Sequence, residues 1–512
     1  VTVIETPLLA LASLVDKSLL RRSVDGWYEL HPLLRQFAGH KQEQFATEMA
    51  QARPRYIRHY LYLVMEQEAK LDTTAAPAAL RQLRRHLPNI RQAWEWAVDS
   101  HNLSLLNDSL EPMAAFFIHA GLLQEGAQRL DTALAQLATT GAGDAELHRV
   151  VRARMMNQRA RFAYILTDYD GGLTIAQSAL ELAVKAGLDT VIAHSRLEIG
   201  RALEGRCEYE AAQVQLEQAL QLAEAEKQPF VHINSLRTLG HVLMFQGDYD
   251  AARRHYKAGL DAAREYGRHT SEIHMRINLG NIAYLEGDFT TSRRQFEQAI
   301  EMARQMGNRR VESTALGNLG RIFLDQGEYT AARRAIEESI AYKADMGDSY
   351  GVAILRNSLG DIALNQGDYE QARSLFRECV AVHQEAGNRQ AAAHALANVA
   401  LAMHLLDEHE AAATLCRESL ALSREVGSAV EQGDALTRLG QALAALGQED
   451  EAITTFEAAP ALRRELGQTN RALEPLAGLA RLALGQNRLE EALGYVNQFL
   501  NFLESNDLSG VV

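Results

Sequence analysis

Gly247-Asp248-Tyr249, Gly287-Asp288-Phe289, Gly327-Glu328-Tyr329 and Gly367-Asp368-Tyr369 repeat one phrase every 40 residues without slipping. A fixed period of this size is the signature of one supersecondary unit stacked on copies of itself. Such a stack is a solenoid, and its long concave surface usually holds another molecule. The frame continues upstream to Cys207-Glu208-Tyr209 and Thr167-Asp168-Tyr169. Downstream it reaches Asp407-Glu408-His409, Gly447-Gln448-Glu449 and Asn487-Arg488-Leu489, which makes nine copies in register.

Two further markers travel with the phrase. Seven residues before its first position stand Ala160, Gly200, Gly240, Gly280, Gly320, Gly360, Ala400, Gly440 and Ala480; five residues after it stand Gly172, Ala212, Ala252, Ser292, Ala332, Ala372, Ala412, Ala452 and Ala492. Small residues at fixed places let two helices approach closely, and a large side chain there overpacks. Each repeat reads as two helices. In residues 270–307, Ile277, Ile282 and Leu285 surround Gly280 on the first helix. Gly287 supplies the left-handed stop, and Asp288 caps the next helix by accepting from its free N–H groups. Phe296, Ala299, Ile300 and Ala303 follow at helical spacing. Gly267, Gly307, Gly347, Gly387, Gly427 and Gly467 repeat the second stop. The recurring Asp or Glu beside the first glycine is therefore expected to cap rather than to bind metal. Pro460, inside a predicted second helix, should kink or break it.

The chain of 512 residues carries a formal charge of -14, with +2 in its first hundred residues and -16 in the remainder. An acidic array is a poor non-specific binder of nucleic acid. Cys207, Cys379 and Cys416 are too few for a disulfide framework and fit a reducing cytoplasm. No apolar run reaches the ~18 residues that suggest a membrane span. The chain begins at Val1 without an initiator Met, so a fragment of a longer protein is expected. No Gly-Lys pair exists to build a phosphate loop, and no hydrolase, metalloprotease or Cys-x-x-Cys motif is found, so no enzyme activity is expected of this chain. His394, His404 and His409 lack the spacing of a metal-binding pair.

Upstream of the repeats, Leu8 to Leu20 reads as helix; Leu20-Arg21-Arg22 and Trp27-Tyr28-Glu29-Leu30 read as strands joined at Asp25-Gly26; Leu33 to Phe45 returns to helix. Helix, hairpin, helix is the latter half of a winged helix. Residues 46–146 are helical without a period. There Ile90, Ala93, Trp94 and Ala97 form a buried stripe, Arg84, Arg85 and Arg91 a solvated face, and Thr139 to Asp144 a candidate boundary.

The markers from Leu239 to Ala252 resemble the tetratricopeptide repeat, and the resemblance covers residues 147–503. It implies an all-α, right-handed superhelical solenoid of 40-residue helix pairs, with a partial winged helix over 1–45, a helical connector over 46–146 and a tail over 504–512. The phrase Tyr28-Glu29-Leu30-His31-Pro32-Leu33-Leu34-Arg35-Gln36-Phe37-Ala38 resembles the winged-helix end of STAND-type (NB-ARC/NACHT-like) signalling ATPases. In that family a Met-His-Asp phrase contacts the nucleotide phosphate. His31 matches it and Pro32 replaces the acid, which implies nucleotide sensing by His31, with ATP or ADP bound only by the full-length protein.

The family's first helices line the concave groove. Here they carry Glu198, Thr238, Asn278, Asn318, Ser358, Asn398 and Arg438 two steps before the small residue. One step after it come Arg201, His241, Asn281, Arg321, Asp361, Leu401, Gln441 and Arg481; six steps before it come His194, Asn234, His274, Thr314, Ile354, His394 and Asp434. Asn donates to and accepts from a peptide backbone at once, and Arg201 and Arg321 can hold carboxylates. The candidate groove comprises Arg201, Asn234, His241, His274, Asn278, Asn281, Asn318, Arg321, Ser358, Asp361, Asn398 and Gln441; Asn residues that merely help neighbouring helices pack are the plainer alternative. The co-chaperone carboxylate clamp needs Lys where Thr314 and Ile354 stand, so a chaperone tail is disfavoured. The resemblance implies a cytoplasmic, bacterial sensor region that binds a protein or peptide trigger, controls an upstream ATPase domain in cis and joins an oligomer on activation. A constitutive scaffold and a peptide-sensing transcription regulator with a DNA-binding winged helix are the alternatives.

Overall fold

The computed structural model describes residues 13–17, 19–22, 28–31, 33–34, 36–37, 46–138, 145–465 and 473–505. Strands β1 (Leu20–Arg22) and β2 (Tyr28–Leu30) pair antiparallel, with Leu20 opposite Leu30 and Arg22 opposite Tyr28. The expected strands thus form. Their turn, most of the flanking helices, the Thr139–Asp144 boundary and Gly467 lie outside the described residues.

The connector consists of α1 (Ala46–Leu71), α2 (Ala76–Arg85), α3 (Leu87–Asp99), α4 (Leu103–His119) and α5 (Leu123–Ala138). Nine helix pairs follow among the described residues. They are α6 (Ala145–Ile165) with α7 (Tyr169–Ala186), α8 (Asp189–Gly205) with α9 (Tyr209–Ala225), and α10 (Pro229–Phe245) with α11 (Tyr249–Glu265). Next come α12 (His269–Leu285) with α13 (Phe289–Gln305), α14 (Arg309–Asp325) with α15 (Tyr329–Asp345), and α16 (Ser349–Asn365) with α17 (Tyr369–Glu385). The last are α18 (Arg389–Leu405) with α19 (His409–Glu425), α20 (Ala429–Ala445) with α21 (Glu449–Glu465), and α22 (Leu473–Gly485) with α23 (Leu489–Ser505). The chain divides into two compact units, residues 1–311 and 312–512. No helix among the described residues is long and apolar enough to cross a membrane.

The turn chemistry explains the period. Gly287 adopts φ 79°, and the next N–H, of Asp288, returns to the Ala283 carbonyl at 2.8 Å. This reversal closes the end of α12. The Asp288 carboxylate then accepts from the Thr291 N–H at 2.9 Å and opens α13. Asp168, Asp248 and Asp368 cap in the same way. Glu208, Glu328 and Glu408 do not, which corrects the expectation that either acid would cap. The extra methylene carries their carboxylates past the N–H groups; Glu408 accepts instead from Arg373, at 2.8 Å. A second correction concerns Pro460: α21 continues through it to Glu465, so the expected break does not occur. A proline deletes one N–H, and the bonds on either side preserve the helix, as at Pro54 in α1 and Pro112 in α4.

The small residues of the first helices meet the largest residues of the second. A Cβ on Gly240 would stand 2.4 Å from the Tyr256 ring, one on Gly280 2.8 Å from Phe296, and one on Gly360 2.4 Å from Phe376. Gly200 meets Leu216, Gly320 meets Ile336 and Gly440 meets Phe456 in the same register. Where the first helix carries Ala160 or Ala400, the equivalent position holds the smaller Ala176 or Cys416. Cys379 and Cys416 are buried, and burial pushes both thiols up to about 12, in keeping with packing rather than reactivity.

In the first unit the connector core is continuous with the array. Ile90, Ala93, Trp94 and Ala97 are buried in one cluster with Val151, Met155 and Phe162 of α6. Of the basic run, Arg91 pairs with Glu125 at 2.7 Å and Arg84 donates to the Ala120 carbonyl at 3.0 Å, so these two arginines fasten connector helices. The turn between α1 and α2 also folds back on the array. The Thr270 N–H donates to Asp72 Oδ1 at 2.7 Å, and Pro77 lies against Gly307.

Candidate binding groove

At several places within each unit the first helix of a pair touches the first helix of the next. This holds for α6 with α8, α8 with α10 and α10 with α12, and again for α18 with α20 and α20 with α22. Among the described residues the second helices make no comparable contacts with one another. A stack set close on one side and splayed on the other curves with its close-set helices inside, so the first helices form the inner face.

In the first unit the predicted residues form two linked bridges. Arg201 Nη1 donates to Glu198 at 2.8 Å and Nη2 donates to Asn234 Oδ1 at 2.5 Å. Asn234 Nδ2 in turn donates to the Phe230 carbonyl at 2.8 Å. The second bridge joins Asn278 Nδ2 to His241 Nε2 at 3.0 Å, and His241 Nδ1 faces Glu204 at 3.8 Å. Burial, reinforced by Arg237, pushes the His241 imidazole down to about 3, so the ring is neutral at physiological pH. Burial and the same arginine push His274 well below its usual value. Asn281 is half-buried on the same helix face. Arg201 and Asn278 are buried, so these rungs also join neighbouring first helices, as the plainer alternative anticipated.

In the second unit, Asn398 Nδ2 donates to Asn357 Oδ1 at 3.0 Å and meets His394 Nε2 at 3.3 Å. Gln441 Nε2 donates to Glu474 at 2.9 Å. Asp361 is half-buried, and burial pushes its carboxyl up to about 6 against the opposing pull of Arg321. Ser358 and Asn318 are half-buried and Arg321 is exposed. The sequence cluster Asn278, Asn281, Asn318, Arg321 is thus divided, its first two members in one unit and its last two in the other. His31 is exposed immediately after β2, and its Nδ1 accepts from the Leu33 N–H at 3.3 Å.

Surface hollows of about 400 Å³ beside Asp168 and Arg206 and about 390 Å³ beside His383 and Leu422 lie away from these rungs. Two charged residues of the first helices escaped the sequence reading. Arg161 stands one step after Ala160, the position that Arg201 fills a repeat later, so extending the ladder upstream would have found it. Arg237 occupies a place where the adjoining repeats carry Leu197 and Ile277, and its charge was the only signal.

The tetratricopeptide-repeat family matches residues 232–305, 274–344 and 351–425, and a second tetratricopeptide-repeat family matches 433–470. No curated protein sequence matches the chain. Among solved structures, the apo form of the quorum sensor NprR from B. thuringiensis is similar with a TM-score of 0.54 and 18% identity, over 68% of this chain and 97% of that one. A Rap protein complexed with competence and sporulation factor is similar with a TM-score of 0.52 and 14% identity, over 72% of this chain and 98% of that one. A STAND protein with a tetratricopeptide-repeat sensor, PH0952 from Pyrococcus horikoshii, gives 0.42 and 14%, over 75% of this chain and 60% of that one, too distant to support an argument. At these identities the likeness establishes architecture alone, and with the nine packed helix pairs it makes the fold an all-α tetratricopeptide-repeat solenoid.

Proposed function

We propose that the inner face of the array binds a protein or peptide trigger, and that in the full-length protein this binding controls an upstream STAND-type ATPase. The observation that carries the first half is the pair of bridges Arg201–Asn234 and His241–Asn278, which sets amide and guanidinium groups in fixed orientations along successive first helices. Groups held this way lose little entropy when they accept a ligand. The Rap protein of the same architecture is complexed with competence and sporulation factor, and by that analogy a protein or peptide is the ligand class here. The second half rests on the Tyr28–Ala38 phrase and on the exposure of His31 beside β2. In this reading the chain performs no catalysis, ATP or ADP sits on the upstream module, and activation leads to oligomerisation in the cytoplasm. The trigger must bind the open and closed states with different affinity, since a ligand that binds both equally shifts nothing.

The test is affinity capture from bacterial and phage-infected lysates, with wild-type chain compared against a variant carrying Asn234→Ala and Asn278→Ala, which removes one member of each bridge. A polypeptide retained by wild type and lost by the variant supports the groove. Equal retention by both would sink the assignment.

A further inference from the structure

We infer that His404 and His409 make the turn between α18 and α19 an acid-sensitive joint of the array, closed while both rings are neutral and loosened when either takes a proton. The joint lies within the second unit and works without a ligand. Its two positions, in the last turn of a first helix and at the start of the second, recur in every repeat and face each other over the turn. Tyr164 meets Tyr169 there with 6.0 Å between ring centroids, and Tyr284 meets Phe289 at 5.9 Å. Leu364 and Tyr369 fill the same places in the repeat before the joint. In the seventh repeat both are histidines, and their centroids close to 4.9 Å. No other repeat carries histidine at either position.

Neutral imidazole suits this place and imidazolium does not. The Nδ1 atom of each ring is buried and bonded to nothing among the described residues. An imidazolium carries an N–H on both nitrogens, so protonation sets a buried donor where the fold provides no acceptor. The surrounding charges oppose it as well. Arg438 acts on His404 from α20, itself paired with Glu474 of α22, and His409 acts on it from α19. On α17, Arg373 engages the Glu408 carboxylate at 2.8 Å, and Arg377 reaches Met403 Sδ at 4.0 Å. Asp407 pulls the other way. Its Oδ1 stands 3.7 Å from His409 Nε2, on a side chain 97% exposed, where solvent screens the attraction. Burial, His409 and Arg438 together hold the His404 imidazole below its ordinary value of 6.5. The closed joint therefore takes up its proton later than the open one. It is complete above about pH 6.5 and weakens as pH falls below that value.

The test is hydrogen exchange of the whole chain at about pH 7.5 and about pH 5.5, corrected for the intrinsic rate at each pH. The amides to follow are Asp407, bonded to the His404 carbonyl at 3.1 Å, and Glu408, bonded to the Met403 carbonyl at 2.9 Å. Their protection should fall about tenfold at the lower pH, which lies about one unit below the ordinary histidine value. Gly367 and Asp368 make the same two bonds in the preceding repeat, at 3.0 and 2.9 Å, and should keep their protection. The double variant His404→Leu, His409→Tyr copies the pair Leu364 and Tyr369 and should stay protected at both pH values. A loss shared equally by the two turns, or no loss at either, would overturn the joint, and the wild-type chain alone decides this. A selective loss that persists in the double variant would assign the titration to other groups and overturn it too.

Discussion

At the scale of single residues, the fold is punctuated by backbone conformations that survive even where the favoured residue is missing. Gly287 takes φ 79° with nothing near the place a Cβ would occupy, yet Thr167 and Cys207 take φ 62° at the same point of their repeats. The left-handed conformation costs a side-chain-bearing residue about 1–2 kcal/mol, and a β-branched residue suffers most. Thr167→Gly should therefore stabilise the first unit by about 1 kcal/mol and Gly287→Ala should destabilise it by a similar amount, both measurable by calorimetry. Asp361 gives a pH-dependent counterpart. Its folded carboxyl is raised to about 6 by burial, above the ordinary value of 3.8, so the folded state holds its proton longer than the unfolded chain. Stability is then lost as pH rises through that window and stays lost above it. Asp361→Asn should leave stability at pH 3 unchanged and raise it at pH 8 by about 1–2 kcal/mol after screening; equal melting temperatures at pH 8 would contradict the assignment.

At the scale of the helix, complementarity between Gly280 and Phe296 sets how closely α12 and α13 approach. Gly280→Ala forces its Cβ to 2.8 Å from the Phe296 ring and should cost about 1–3 kcal/mol. Phe296→Cys alone leaves a cavity, at about 3 kcal/mol. Ala400 with Cys416 already combines the two substitutes, both buried, in another repeat. The double variant should therefore be more stable than the sum of the single losses by at least about 1 kcal/mol, and simple additivity in a double-mutant cycle would refute the pairing. This element shows what the sequence could convey. The small residue is legible because it repeats, and so are the capping aspartates. Its partner 16 residues later is harder to see, because Leu216, Tyr256, Phe296, Ile336 and Phe376 share only bulk. The polar ladder on the first helices is legible to the same degree. The ladder containing Arg201 and Asn278 follows from the frame, whereas the bonds to Asn234 and His241 depend on how adjacent repeats are rotated. Glu328 shows the limit of pattern: it occupies the cap position yet makes no side-chain cap, since one methylene decides the geometry.

At the scale of the molecule, periodicity within the array says nothing of how the connector meets it. Repeats specify contacts between neighbours, but the bond from Thr270 to Asp72 spans 198 positions and involves residues outside any repeating pattern. It ties the turn before α2 to the start of α12, and Pro77 against Gly307 extends that tie to the end of α13. Gly307 and Gly267 are equivalent stops, with φ 62° and 63°, yet only Gly307 has a neighbour, its would-be Cβ lying 2.8 Å from Pro77 Cγ. Alanine at either position incurs the backbone cost of about 1 kcal/mol; at 307 it must also displace the connector. Gly307→Ala should therefore destabilise the first unit more than Gly267→Ala and should raise amide exchange at Thr270, whose N–H depends on the same turn. Pro77→Ala should relieve the excess at 307 and leave the cost at 267 unchanged. Equal losses for the two glycine variants, or rescue of both by Pro77→Ala, would show that the connector does not bear on the array at this point.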